Sequence, residues 1–230
     1  MKRFFFRLIA VSGLASMVLA CGGTPRVYYN DLKTAFSTTP DVELTLDQVQ
    51  SSSYDLLYVR VNDGPRVALT LAFLEHGQHK WVSADSAVLV LEQGRLVRSA
   101  NFTTELNFVS NTHSDPLKQG PDQLAQAASW LRLVDWGMGA SGYAMESGFR
   151  EVKMETLQLF EQAIPTRVFV ETVHLPDIDK SFQNYFWFDA QSGLLVKSEQ
   201  QLTHQGPTLE FTYISPLARQ LKMVIESPSP

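Results

Sequence analysis

Leu56-Leu57-Tyr58-Val59-Arg60-Val61-Asn62-Asp63-Gly64-Pro65-Arg66-Val67-Ala68-Leu69-Thr70-Leu71-Ala72-Phe73 is the stretch that decides the fold class. Leu57, Val59 and Val61 alternate with Leu56, Tyr58 and Arg60; Val67, Leu69, Leu71 and Phe73 alternate with Ala68, Thr70 and Ala72. A period of two sends successive side chains to opposite faces, which is the signature of a strand. Between the two runs, Asn62-Asp63-Gly64-Pro65 is a turn cluster in which Gly64 is expected to supply the positive φ of a tight hairpin. Both faces of the second run read as largely dry.

Toward the C-terminus the same signature recurs. Glu75-His76-Gly77-Gln78 turns the chain into Lys80-Trp81-Val82, and Ala87 to Leu91 follows. Glu92-Gln93-Gly94 reverses it into Arg95 to Ala100. Asp115-Pro116 breaks the chain, Pro121 to Ala128 reads as a short helix with proline in its first turn, and Trp130 to Trp136 as a strand. Further strands are expected at Arg167 to His174, Asn184 to Phe188, Leu194 to Gln201 and Leu209 to Ile214. Asp189 to Gly193 and His204 to Pro207 supply turns between them, and a Ser/Pro tail follows Glu226. The expected fold is mainly β: a large curved antiparallel sheet, as barrel, half-barrel or sandwich, with that short internal helix and one N-terminal helix. The latter is read from Tyr28, Tyr29, Leu32, Ala35 and Phe36 at helical spacing.

Toward the N-terminus the chemistry changes. Lys2, Arg3 and Arg7 flank an apolar run from Phe4 to Val18 that holds no acidic residue, the make-up of a signal peptide. The run is too short for a spanning helix, which needs about 20 apolar residues. Val18-Leu19-Ala20-Cys21 resembles a lipobox, with cleavage expected after residue 20 and lipidation at Cys21. The thiol is the one nucleophile there able to form a thioether to diacylglycerol. Each buried methylene adds about 0.8 kcal/mol of membrane affinity, so two or three acyl chains, palmitate among them, hold firmly. Gly22, where retained inner-membrane lipoproteins carry Asp, favours the periplasmic face of the outer membrane. Residues 21–230 are expected to form one lipoprotein domain.

Removing a leader with three positive charges and no negative ones moves the formal balance from -5 to -8. Without a Lys/Arg cluster, nucleic acid and polybasic lipid docking are poor fits. The single cysteine excludes an internal disulfide, so the fold must rest on its core.

Candidate chemistry is sparse. His76 and His79 have a spacing seen in metal sites, yet read as a solvated turn without a third ligand. Asp177 and Asp179 read as an exposed loop, and no metal or cofactor is expected. Gly137, Gly139 and Gly142 form a loop with no Gly-Lys-Ser/Thr after it, against phosphate binding. Glu146, Glu151 and Glu155 are candidates for a carboxylate pair in sugar hydrolysis, and read more plainly as alternating acids on an exposed face. Trp81, Trp130, Trp136, Tyr185 and Trp187 suit sugar stacking or, more simply, the core. No Gly-x-Ser-x-Gly elbow is present, and the expectation is a non-enzyme.

Tyr58 to Gly64, Lys80 to Asp85 and Gly94 to Val97, then Asp115-Pro116-Leu117, Phe186-Trp187-Phe188-Asp189 and Ser192-Gly193, together resemble the GfcB/YjbF (YmcC-like) lipoproteins of group 4 capsule and exopolysaccharide operons. Pro65 departs from the family pattern and stiffens the first turn. The resemblance implies a non-enzymatic accessory in capsule or exopolysaccharide production or export, beside an outer-membrane barrel or other proteins of the same operon, and in reach of the polysaccharide. It hands over no catalytic residue. Two other functions stay open: a lipid or lipoprotein carrier with a half-barrel fold, and a glycan-modifying enzyme.

Overall fold

The computed structural model describes residues 40–226, apart from 127 and 138. Cys21 and the helix expected at Tyr28 to Phe36 lie outside the described residues. A helix α1, Leu46–Gln50, comes first; Thr45 Oγ1 accepts from Gln48 N and Gln48 Oε1 from Thr45 N, a reciprocal capping box. Five strands follow: β1 Leu56–Val61, β2 Val67–Glu75, β3 Gln78–Val82, β4 Val88–Glu92 and β5 Arg95–Ala100. Next come β6 Leu106–Val109, two short 3-10 turns, and α2 Pro121–Leu124, the expected internal helix. The chain continues through β7 Ser129–Trp136, β8 Ala140–Leu159, β9 Gln162–Leu175, β10 Lys180–Asp189, β11 Leu195–Gln201 and β12 Thr208–Thr212. It ends in α3, Ile214–Glu226.

All twelve strands belong to one antiparallel sheet, ordered β5-β4-β3-β2-β1-β12-β11-β10-β9-β8-β7-β6. Every connection joins neighbours except β5 to β6, whose strands are the two edges. The first and last strands, β1 and β12, pair in the middle of the sheet, Val59 opposite Phe211. Six register shifts, such as those at Leu71/Phe73 and Trp187/Phe188, bend the strands. The sheet curls until β5 and β6 approach, giving a nearly closed barrel. A side chain bridges the seam: Leu106 N donates to Ser99 Oγ at 2.8 Å.

Antiparallel alternation sorts the connections onto two ends. The turns after β1, β3, β5, β7, β9 and β11 share one end. Those after β2, β4, β6, β8 and β10 share the other, with α1 and the start of α3. The inner face holds the main core, including Leu57, Leu69, Trp81, Leu89, Trp130, Phe149, Phe169, Phe186 and Phe211. Outside, α3 lays two stripes on the sheet. Ile214 and Ala218 join Tyr58 and Val49, and Leu217 joins Ile164 and Val196. This helix was not among the sequence expectations.

The first hairpin forms as expected but with a different residue at its strained position. Asn62 carries the positive φ, 49°, while Gly64 does not. Asn62 also accepts Thr208 N through Oδ1 at 3.0 Å, a polar role that suits asparagine in the left-handed region. At the β4–β5 turn glycine is required: Gly94 has φ 89°, and a Cβ there would stand 2.2 Å from Leu195 Cδ2. The second half of β2 is not dry: the β1 ladder pairs it only from Val67 to Thr70, and Phe73 and Leu74 beyond are more than half exposed.

Candidate functional site

Inside the barrel, toward the end that carries the β6–β7 connection, the inner face changes from apolar to ionic. Arg95 opens β5, Arg132 lies between Trp130 and Val134 on β7, and Glu171 lies between Phe169 and Val173 on β9. All three point inward by strand alternation. Asp115 comes from the β6–β7 connection, which dips into the barrel mouth and buries Pro116, Leu117 and Leu124 as well. These four ionised side chains are each 5 % exposed or less.

Their contacts form one chain. Arg95 Nε donates to Asp115 Oδ2 at 2.8 Å, and its Nη1 to Glu171 Oε2 at 2.6 Å. Arg132 Nη2 faces Glu171 Oε1 at 3.2 Å as an ion pair without hydrogen-bond alignment, and its Nη1 donates to Ser147 Oγ at 2.5 Å. Asn184, opposite Glu171 in register, donates Nδ2 to Glu171 Oε2 at 2.8 Å. Asp115 Oδ1 accepts Leu117 N at 3.1 Å, which fixes the bend of the connection. The Trp130 ring centroid is 4.9 Å from the guanidinium carbon of Arg95 and 4.1 Å from that of Arg132. Phe186 supplies a second aromatic face to Arg95 at 5.1 Å.

The cluster carries two positive and two negative charges, so it is neutral. Burial by itself would raise the Glu171 pKa; Arg95 and Arg132 outweigh it and hold the carboxyl down at about 2. Burial lowers Arg132 to about 10, since it faces one carboxylate and feels Arg95. Burial also acts against Arg95, but Asp115 and Glu171 together raise it above the ordinary arginine value. Burying separate charges costs several kcal/mol each, and only complete pairing offsets this.

Next to the ions, β5 is stitched across the interior to β11 and its neighbour. Gln200 Oε1 accepts Leu96 N at 3.0 Å, and Gln200 Nε2 and Tyr213 OH both donate to Gly94 O, at 2.7 and 3.0 Å. Burial lifts the Tyr213 phenol well above its usual range. At the centre of the inner face Leu57, Leu69, Leu89, Phe169, Phe186 and Phe211 are each 2 % exposed or less, and partly buried residues such as Leu71, Phe102 and Leu195 pack against them. The interior is therefore packed, and the arrangement fastens a barrel mouth without presenting a reactive group to solvent.

The residues singled out from sequence are dispersed. Trp81, Trp130 and Trp136 lie in the inner core. Trp187 is on the outer face, donating Nε1 to Glu155 at 3.1 Å beneath the Lys197 amine, and half-buried Tyr185 is beside it. Glu151 pairs with Arg167 and Glu155 with Lys153, while exposed Glu146 stands opposite His174. Glu146 is five residues from Glu151, while a bulge at Glu151/Lys153 sets Glu151 and Glu155 opposite β9 residues three apart, Phe169 and Thr166, and both of these carboxylates are taken up in ion pairs. His76 sits at a turn with φ 51°, and His79 tilts toward Trp81. Asp177 accepts Ala144 N, and Asp179 holds a left-handed turn. Gly137, Gly139 and Gly142 have positive φ in and beside the β7–β8 turn. Among the described residues no three His, Cys, Asp or Glu groups gather as a metal site.

Sequence reasoning missed the ionic cluster. Its signal was present at two positions: Arg132 and Glu171 interrupt inward-facing apolar rows, Trp130-x-x-x-Val134 and Phe169-x-x-x-Val173.

Comparison with known proteins bears on the whole fold. The family described as group 4 capsule polysaccharide lipoprotein gfcB, YjbF, matches residues 29–214. The lipoprotein YjbF of Escherichia coli (strain K12) is 35 % identical over 188 residues, covering 81 % of this chain and 87 % of the relative. GfcB of the same strain is 26 % identical over 212 residues, covering 91 % and 99 %. The crystal structure of the hypothetical lipoprotein YmcC from Escherichia coli (K12) superposes with a TM-score of 0.67 at 26 % identity, covering 92 % of this chain and 99 % of that one. With its barrel and most of its length matched, this chain belongs to the YjbF family of group 4 capsule polysaccharide lipoproteins.

Proposed function

We propose that this chain is a non-enzymatic accessory lipoprotein of capsule or exopolysaccharide production or export, held by acylated Cys21 to the periplasmic face of the outer membrane. The family match over residues 29–214 carries the reading. The lipobox at Val18 to Cys21 supports the anchor, and Gly22 supports the outer membrane over the inner. A barrel packed inside and fastened by a neutral ion cluster supports a role played by the outer surface, through binding to partners. The same packing speaks against a carrier that takes an acyl chain into its interior. The ion pairs of Glu151 with Arg167 and of Glu155 with Lys153 speak against a glycan hydrolase using that set.

Affinity capture of the tagged full chain from detergent-solubilised outer membranes tests the proposal. Recovery of an outer-membrane barrel or another protein of the same polysaccharide operon is expected. Unchanged surface polysaccharide in a strain lacking the gene, together with no specific partner, would overturn it.

A further inference from the structure

Three large apolar side chains left exposed share one outward face: Phe108 of β6 at 51 %, and Leu131 and Leu133 of β7 at 59 % and 47 %. Trp130, Arg132 and Val134 point inward, so Leu131 and Leu133 point out. Register brings Phe108 beside them. Phe108 stands opposite Asp135, and Ser110 is bonded to Leu133 twice, N to O at 2.9 Å and Oγ from Leu133 N at 2.7 Å. Apolar side chains grouped in this way on a surface form the centre of an interface.

The flanks of this patch carry opposite charges. On one side Glu146 of β8 stands opposite Leu131. On the other is Arg98 of β5, opposite Val90 and facing away from its neighbour Ser99, whose hydroxyl bridges the seam to Leu106, two residues before Phe108. Both are exposed, and among the described residues neither takes part in an ion pair, although most other surface cations do. They do not reach each other within one chain, since β6 and β7 lie between β5 and β8, a distance of about 14 Å along the sheet at the usual strand spacing. Asp135, the other acid beside Phe108, directs Oδ1 to Gly142 N at 2.7 Å.

A patch that is positive on one flank and negative on the other is its own complement. Phe108 and Leu133 lie between the flanks, so a two-fold axis placed there sets the cation of each copy against the carboxylate of the other and lays the apolar groups together. In such an isologous contact every pair occurs twice. A partner of uniform sign, such as an anionic lipid surface, satisfies one flank and opposes the other.

We propose that the outer face of β6 and β7 is the contact between two copies of this chain, with Phe108, Leu131 and Leu133 at its centre and Arg98 of each copy paired with Glu146 of the other. It stands apart from the polysaccharide role and from the acyl anchor.

Sedimentation equilibrium of the purified full chain in mild detergent, over a concentration series, tests it with wild type, Arg98→Glu, Glu146→Arg and the double swap. A monomer–dimer equilibrium is expected for wild type. Each single swap should raise the dimer dissociation constant by about tenfold or more, because like charges then meet at two places. The double swap should return it to near the wild-type value, and only a pair formed between copies can produce that rescue. Leu133→Ser should also weaken the dimer, whereas Met154→Ser, at an exposed position of β8 outside the patch, should not. A wild type that stays monomeric, a dimer indifferent to the single swaps or to Leu133→Ser, or a double swap as weak as the singles overturns the proposal.

Discussion

Glu171 has no exposed surface and yet remains ionised, because two guanidinium groups and Asn184 surround it. Glu171→Gln keeps the shape and removes the charge, leaving Arg95 and Arg132 to share Asp115 inside the barrel. Breaking a buried pair from one side costs about 3–5 kcal/mol, so chemical denaturation should show a loss of that order. Acid should act through the same group. Its folded pKa is depressed to about 2 from an ordinary value near 4.5, so its contribution is fully present above pH about 4.5 and is lost as pH falls toward 2. Stability measured across that window should decline in the wild type and decline less in Glu171→Gln; parallel curves would show that the carboxylate is not held in this way. Arg132 and Glu171 were legible in the sequence as charges at inward positions. Their partners were not: Arg95 and Asp115 are 20 residues apart and Arg95 and Glu171 are 76, and only barrel closure brings them together.

At the scale of elements, the weak place in the sheet is the seam between β5 and β6. No ladder pairs these edges; the Ser99 side chain bridges them at Leu106, and β5 is held besides from across the interior, by Gln200 of β11 toward Leu96 and Gly94. Gln200→Leu deprives Leu96 N of its acceptor inside an apolar interior, a loss of about 1–3 kcal/mol for an unsatisfied buried group. Hydrogen exchange should then accelerate at β5 amides while β9 and β10, paired along nearly their whole length, keep their protection. Uniform acceleration, or none, would show that Gln200 does not hold the edge strand β5. Strands were the legible elements, because alternation needs only local sequence. The helix α3 was not: Ile214, Leu217, Ala218 and Leu221 do recur at helical spacing, but Ser215-Pro216 directly after a strand reads as a stop, and a proline is tolerated in a helix's first turn. Likewise α1 is only five residues long, and its Thr45-x-x-Gln48 capping box is its clearest local mark.

For the molecule as a whole, barrel closure could not be read from periodicity, since alternation is the same in a sandwich and in a barrel. It follows from where the breaks fall: β1 and β12 pair in mid-sheet, the edges β5 and β6 are joined by a short loop, and the buried ions tie β5 to β9 and to the β6–β7 connection. A body packed inside has its outer surface to work with, and under the proposed acyl anchor the membrane governs what that surface meets. Cells expressing wild type or Cys21→Ala are labelled with radioactive palmitate and their envelopes separated from the periplasmic fraction. Label in the wild type, its sedimentation with outer membranes, and release of unlabelled Cys21→Ala to the periplasm are the expected results. A Cys21→Ala chain that sediments as firmly as wild type, or a wild type that takes up no palmitate, would contradict lipid anchoring and the accessory role built on it.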